Sequence, residues 1–160
     1  MTSSGLLRWL APGLVVVSLA ACPGADDEAR TGPADMIAVA RLMATLDRLI
    51  SDEDLEELVD YIADDAVLMP PGEPAIVGKR AIADWYESLF QRFDIELTHE
   101  VLEIDVKGDF IVHRGNVSGA LTARDSGDPM PFDQKYLFVI QRSQHGQLQV
   151  WRLIFNSNQP

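Results

Sequence analysis

The chain has 160 residues, 47% of them hydrophobic and 24% charged, the balance of an ordinary globular domain rather than a disordered one. That length suits one domain with a short extra segment, and burial of about two-thirds of the unfolded surface gives a core without disulfide staples. A net charge of -12 with no basic cluster argues against a nucleic-acid partner, because a phosphate polyanion is repelled.

The N-terminus reads as an address. Arg8 precedes an apolar run from Leu10 to Ala20 that Pro12 and Gly13 interrupt. A membrane-spanning helix needs about 20 apolar residues, so residues 1–21 are expected to be a secretory signal peptide. Leu19-Ala20-Ala21-Cys22 resembles the bacterial lipobox. The resemblance implies cleavage before Cys22 and a diacylglyceryl group on its thiol, with an ordinary secreted protein as the alternative. Cys22 is the only cysteine, so no disulfide is expected. Pro23 implies, in a Gram-negative cell, the outer membrane facing the periplasm. Residues 22–34 have the Pro, Gly, Ala and acid content of a flexible tether. The membrane, reached through the lipid on Cys22, is thus one expected partner, and the cell envelope the expected location.

The folded domain is expected over residues 35–160. Met36, Val39, Met43, Leu46 and Ile50 recur at helical spacing, with Asp35 as the expected N-cap. Ser51 then offers a second cap, and Leu55, Leu58, Val59 and Ile62 form the next apolar face. Ala66 to Met69 suits a short strand that Pro70-Pro71 must end. Gly78 breaks the chain before a third helix, whose Ile82, Trp85, Tyr86, Leu89, Phe90 and Phe93 form a buried stripe.

Beyond Asp94 the period becomes two. Ile95, Leu97 and Val101 share one phase and Leu102, Ile104 and Val106 the other, which predicts a β-bulge near Glu100 to Leu102. Lys107-Gly108-Asp109 is a hairpin turn, and a strand runs from Phe110 to about Ala123. Arg124 to Pro131 is expected as a loop, Tyr136 to Gln141 as a strand and Leu148 to Phe155 as the last strand. Three helices followed by long strands is an α+β pattern, with helices on one face of a curved antiparallel sheet.

Residues 63–72, ADDAVLMPPG, and Gly78-Lys79-Arg80-Ala81-Ile82 resemble the SnoaL-like and ketosteroid-isomerase-like domains of the nuclear transport factor 2-like superfamily. Asp109, Arg114-Gly115, Arg152 and Asn156-Ser157 extend the resemblance to residues 35–160. It implies a cystatin-like cone: an antiparallel sheet wrapped around helices on its concave face, an apolar cavity, and a homodimer through the outer face. The superfamily holds isomerases, cyclases, dehydratases, ligand binders and assembly modules, so no reaction follows from the fold.

Ketosteroid isomerases use a carboxylate base on the turn after the first strand. Here Pro70 takes that place, and neighbouring Met69 cannot ionise. Leu153 takes the place of an acid that relatives carry after the last-strand arginine. Both replacements point to an apolar cavity. His113 shares its phase with Ile111, Gly115 and Val117 and is expected on the cavity face, as a base, donor or ligand contact. The alternative for His113 is a buried ring satisfied by a backbone or carboxylate partner. Tyr61 is a second catalytic candidate, with a packed ring as its alternative. His99, among acids near the bulge, and His145, in a turn, are weaker candidates.

Met69, Trp85, His113, Phe138 and Trp151 are the expected pocket residues, with plain core packing as the alternative for each aromatic. No metal-ligand spacing, phosphate loop or nucleophile elbow is evident, and no cofactor is expected. The expected function is an envelope-anchored binder of a small apolar molecule. The alternatives are an isomerase or cyclase with His113 as base, and a homodimeric assembly module.

Overall fold

The computed structural model describes residues 32–158; the signal peptide, Cys22 and nearly all of the tether lie outside the described residues. Helix α1 (Pro33–Ser51) begins with proline, whose missing N–H is no loss in a first turn. Gly32, rather than Asp35, takes the N-cap position, and Asp35 accepts the Gly32 N–H at 3.2 Å. Val39, Met43, Leu46 and Ile50 are buried as their spacing demands, joined by Leu42 and Leu49, whereas Met36 is exposed. The next helix is a single turn, α2 (Leu55–Leu58), capped by Asp54 through the Glu57 N–H rather than by Ser51. A 3-10 turn (Val59–Tyr61) leads into β1 (Ile62–Met69).

Pro70 ends β1, and the two-residue β2 (Ile76–Val77) folds back antiparallel on it. Gly78, at φ 93°, makes the turn into α3 (Lys79–Arg92), a backbone angle that favours glycine. Four long strands follow: β3 (Phe93–Lys107), β4 (Phe110–Ala123), β5 (Pro129–Arg142) and β6 (Leu148–Ser157). β3 and β4 slip register between Val101 and Glu103. Leu102 is the extra residue and is exposed, so Ile95 before the bulge and Val106 after it are both buried. A bulge changes the phase of the strand it interrupts.

The sheet order is β2-β1-β6-β5-β4-β3. Two features correct the expected cone with a wholly antiparallel sheet. β1 runs parallel to β6, pairing Leu68 with Leu153 and Met69 with Ile154, so the sheet is mixed. It is also open rather than curled or closed, with β2 and β3 as its two edges. The fold is therefore α+β, a mixed six-stranded sheet with helices packed on one face. Among the described residues no helix is long and apolar enough to cross a membrane.

Asp64 and Asp65 lie in β1, where the pairing with β6 is irregular between Ile62 and Val67. Asp64 pairs with Lys79 at 2.9 Å. Asp65 accepts the Trp151 indole N–H at 3.0 Å.

Gly115 sits in β4 between Val101 and Tyr136. The Tyr136 ring crosses above it, and the hydroxyl donates to the Glu100 carbonyl at 3.3 Å. A Cβ at Gly115 would collide with that carbonyl and with the Tyr136 hydroxyl. Gly115→Ala is therefore expected to lower stability by about 2–3 kcal/mol, because backbone as well as ring must shift. Urea denaturation checks this, and an unchanged midpoint would contradict the crossing.

Candidate functional site

The helices and the sheet frame a half-open cavity of about 290 Å³. That is roughly twice the ~150 Å³ that accommodates a benzene. α1 contributes Leu46 and Ile50, α3 contributes Ile82, Trp85, Tyr86 and Leu89, and the strands supply Leu68, Leu97, Leu121 and Leu153 among others. Leu153 is thus part of an apolar wall. Such a wall gives affinity by burial, and its few polar groups give orientation.

The polar groups come from three directions. Glu73, three residues beyond Pro70, reaches the cavity from the loop after β1 and accepts the Trp85 indole N–H at 3.1 Å. Tyr86 lies on the α3 wall, and burial pushes its phenol up to about 12, so it remains a protonated donor. His99 and Gln134 come from the sheet.

His99 is the most organised of these. β3 carries it on the phase of Ile95, Leu97 and Val101, and α1 packs across β3. Asp47 of α1 engages it twice. One carboxylate oxygen contacts His99 Nδ1, and the other accepts the His99 backbone N–H at 3.2 Å. The side chains are only 7% and 19% exposed. Ring edges complete the setting, with Tyr136 at 5.0 Å and Phe138 at 5.8 Å between centroids. A carboxylate held against Nδ1 sets ring tautomer and orientation.

Of the residues expected in the pocket, Trp85 and Phe138 line the cavity, whereas Met69, His113 and Trp151 are not among its lining. Trp151 is displaced by a register shift in β6: Ile140 pairs with Val150 and Val139 with Arg152, which makes Trp151 the extra residue. Its ring stacks on Phe110 at 5.1 Å under the Arg152 guanidinium at 3.7 Å. Val150 and Leu153 take the cavity side instead. Tyr61 packs half-buried against the core and is likewise not a lining residue.

His113 points inward as its phase predicts, but packs flat on Phe138 at 5.0 Å, with the edge of Tyr136 at 5.4 Å. It is 1% exposed, and neither ring nitrogen has a hydrogen-bond partner among the described residues. An orienting acid or donor, which a base at this position requires, is therefore missing. Burial is the main cause that lowers its pKa to about 3. Glu73 is passed over in the sequence, and His99 ranks there as a weaker candidate. The parity of His99 with Ile95 and Leu97 was a usable signal, but its partner lies 52 positions away. Among the described residues no group of three His, Cys, Asp or Glu is placed to hold a metal ion.

The buried His113 has a consequence for acid stability. The fold favours its neutral form, so between about pH 6.5 and about pH 3 the unfolded chain binds more protons. Stability is full above that window and falls as pH drops through it, by at most about 1.4 kcal/mol per pH unit. His113→Leu removes this contribution. Relative to the parent it is expected to gain about 2–3 kcal/mol between about pH 7 and about pH 4.5. Urea midpoints of both proteins at both pH values give the answer, and equal acid losses would refute the assignment.

The profile of the SnoaL-like domain family matches residues 39–149. Among solved structures, the chain is similar to a ketosteroid isomerase-like protein from Erwinia carotovora atroseptica SCRI1043. The identity is 25%, over 81% of this chain and 100% of that one, with a TM-score of 0.72. It is also similar to a conserved protein from Planctomyces limnophilus DSM 3776 (22% identity, 77% and 98% covered, TM-score 0.70). A third similarity is to a Catenulispora acidiphila protein in complex with S-DNPA (17% identity, 79% and 96% covered, TM-score 0.66). No curated protein matches the chain. A family match across the helices and most of the sheet, on a fold shared with these structures, shows that the chain belongs to the SnoaL-like domain family.

Proposed function

We propose that the domain binds a small apolar molecule in the cavity between its helices and sheet, held on the envelope by a lipid on Cys22. The cavity carries this reading. It offers about 290 Å³ between largely apolar walls, with a few polar groups at defined places, the usual make-up of a small-molecule site. The ligand-bound Catenulispora acidiphila structure is consistent with such a use of the fold. The anchor rests on Leu19-Ala20-Ala21-Cys22 and the tether that follows. Each buried acyl methylene contributes about 0.8 kcal/mol, so several chains on one cysteine hold the domain firmly. Against an isomerase or cyclase with its base at His113 stands the lack of a hydrogen-bond partner for that ring among the described residues.

A second reading, a homodimer through the outer sheet face, is favoured by one observation. Leu137 and Ile154 are adjacent across β5 and β6 and are 40% and 36% exposed, with Met69 beside Ile154. Large exposed apolar neighbours on one face suit a covering partner. Light scattering on residues 23–160 is expected to report a dimer that Leu137→Lys converts to monomer; a monomer at high concentration would end this reading.

The ligand is tested by native mass spectrometry of the membrane-extracted chain after exposure to lipophilic envelope extracts. A retained small molecule is expected, lost at least tenfold in Leu97→Trp, which fills the cavity, together with an acylated Cys22. A chain that retains nothing counts against the cavity, and an unmodified Cys22 counts against the anchor.

A further inference from the structure

Resting on the reading of the cavity as a ligand site, we propose that its sheet wall accepts a hydrogen bond. It thereby selects an apolar molecule carrying a weakly acidic hydroxyl, such as a phenol, over the matching ether. The two contacts between Asp47 and His99 carry the inference. The His99 backbone N–H is a donor whatever the state of the ring, so the oxygen that it meets must accept. The other carboxylate oxygen is also an acceptor only and faces Nδ1. In the neutral imidazole the ring proton therefore sits on Nδ1, and Nε2 presents a lone pair with no proton.

The neighbours do not offset this polarity. The Tyr136 hydroxyl is engaged with the Glu100 carbonyl. Gln134, two residues along β5, lines the cavity with an amide that both donates and accepts. Tyr86 and Glu73 lie on the opposite, helix-and-loop side of the cavity, with Glu73 engaged by the Trp85 indole. On the sheet wall, discrimination thus falls to His99. Around it the wall is Leu97, Val117 and Phe138, so a ligand without a donor leaves Nε2 unsatisfied, at a cost in affinity. A volume of about 290 Å³ matches two fused rings rather than one.

Calorimetric titration with 2-naphthol and 2-methoxynaphthalene tests the idea, since the pair differs by the hydroxyl proton. The parent chain is expected to bind 2-naphthol about tenfold tighter than the ether. His99→Leu is expected to bind both alike. Asp47→Asn makes a sharper case. The amide oxygen is held by the backbone N–H, so its NH2 faces Nδ1 and the ring proton moves to Nε2. The wall then donates, and the preference for 2-naphthol disappears while the ether binds at least as well as before. Retained ether binding shows that a variant is folded. Because Asn is the same size as Asp, this arm stands even where His99→Leu fails to fold. Equal binding of both probes to the parent, or a naphthol preference that survives Asp47→Asn, overturns the inference while leaving the cavity a ligand site. If neither probe binds, the ligand reading falls and takes the inference with it.

Discussion

Tyr136 crosses β4 above Gly115 and hands its hydroxyl to the Glu100 carbonyl on β3, and much of the inner wall is arranged around that crossing. The ring needs the space that a side chain at Gly115 would fill. The carbonyl it reaches lies just before the register slip at Leu102, so the crossing and the bulge occupy the same few residues. The bulge turns Leu102 outward and lets β3 present apolar side chains inward on both sides of it. Tyr136, fixed in this position, meets His99 on one side and His113 on the other. It therefore stands between the part of the wall that faces the cavity and the part that is closed off.

Local features of this arrangement were legible in the sequence because periodicity is local. The α1 and α3 faces, the bulge and the turns at Gly78 and Gly108 follow from spacing within a dozen residues. Pairing between distant segments was not legible. Nothing local tells β1 to run parallel to β6, and the resemblance to a wholly antiparallel cone misled on that point. Pro129-Met130-Pro131 looks like a loop because proline cannot donate to a ladder. Yet β5 starts there, paired with β4 on one side while its pairing with β6 begins only at Gln134. Those prolines lie on a local edge, where a missing N–H goes unpunished.

The candidate site was half legible for the same reason. β6 is apolar on both phases, so alternation could not decide which face Trp151 takes, and the irregular pairing opposite Val139 and Ile140 decides it. His99 was obscured by Glu96, Glu100 and Glu103. Glu96 and Glu100 alternate with it and point outward, and its own parity is that of Ile95 and Leu97. What sequence inspection lacked was Asp47, which only the packing of α1 across β3 brings within reach.

The two histidines then differ by their partner rather than by their depth. Both sit on the inner face of the sheet, and both touch Tyr136 and Phe138. α1 covers β3 and brings a carboxylate to His99, which keeps a polar function in an apolar wall. No such group reaches His113, so burial drives it to the neutral form and it behaves as an aromatic core residue. The same contrast separates this cavity from the isomerase pattern. Pro70 and Leu153 put no acid at their positions in the turn and the last strand, Glu73 enters from further along the turn, and His99 with Asp47 places a polar function on β3. Ketosteroid isomerases surround an oxyanion with donors. A ring whose Nδ1 is committed to a carboxylate offers the opposite, a lone pair. The fold is shared with a ketosteroid isomerase-like protein, and the polar function of this wall rests on the contact between His99 and Asp47.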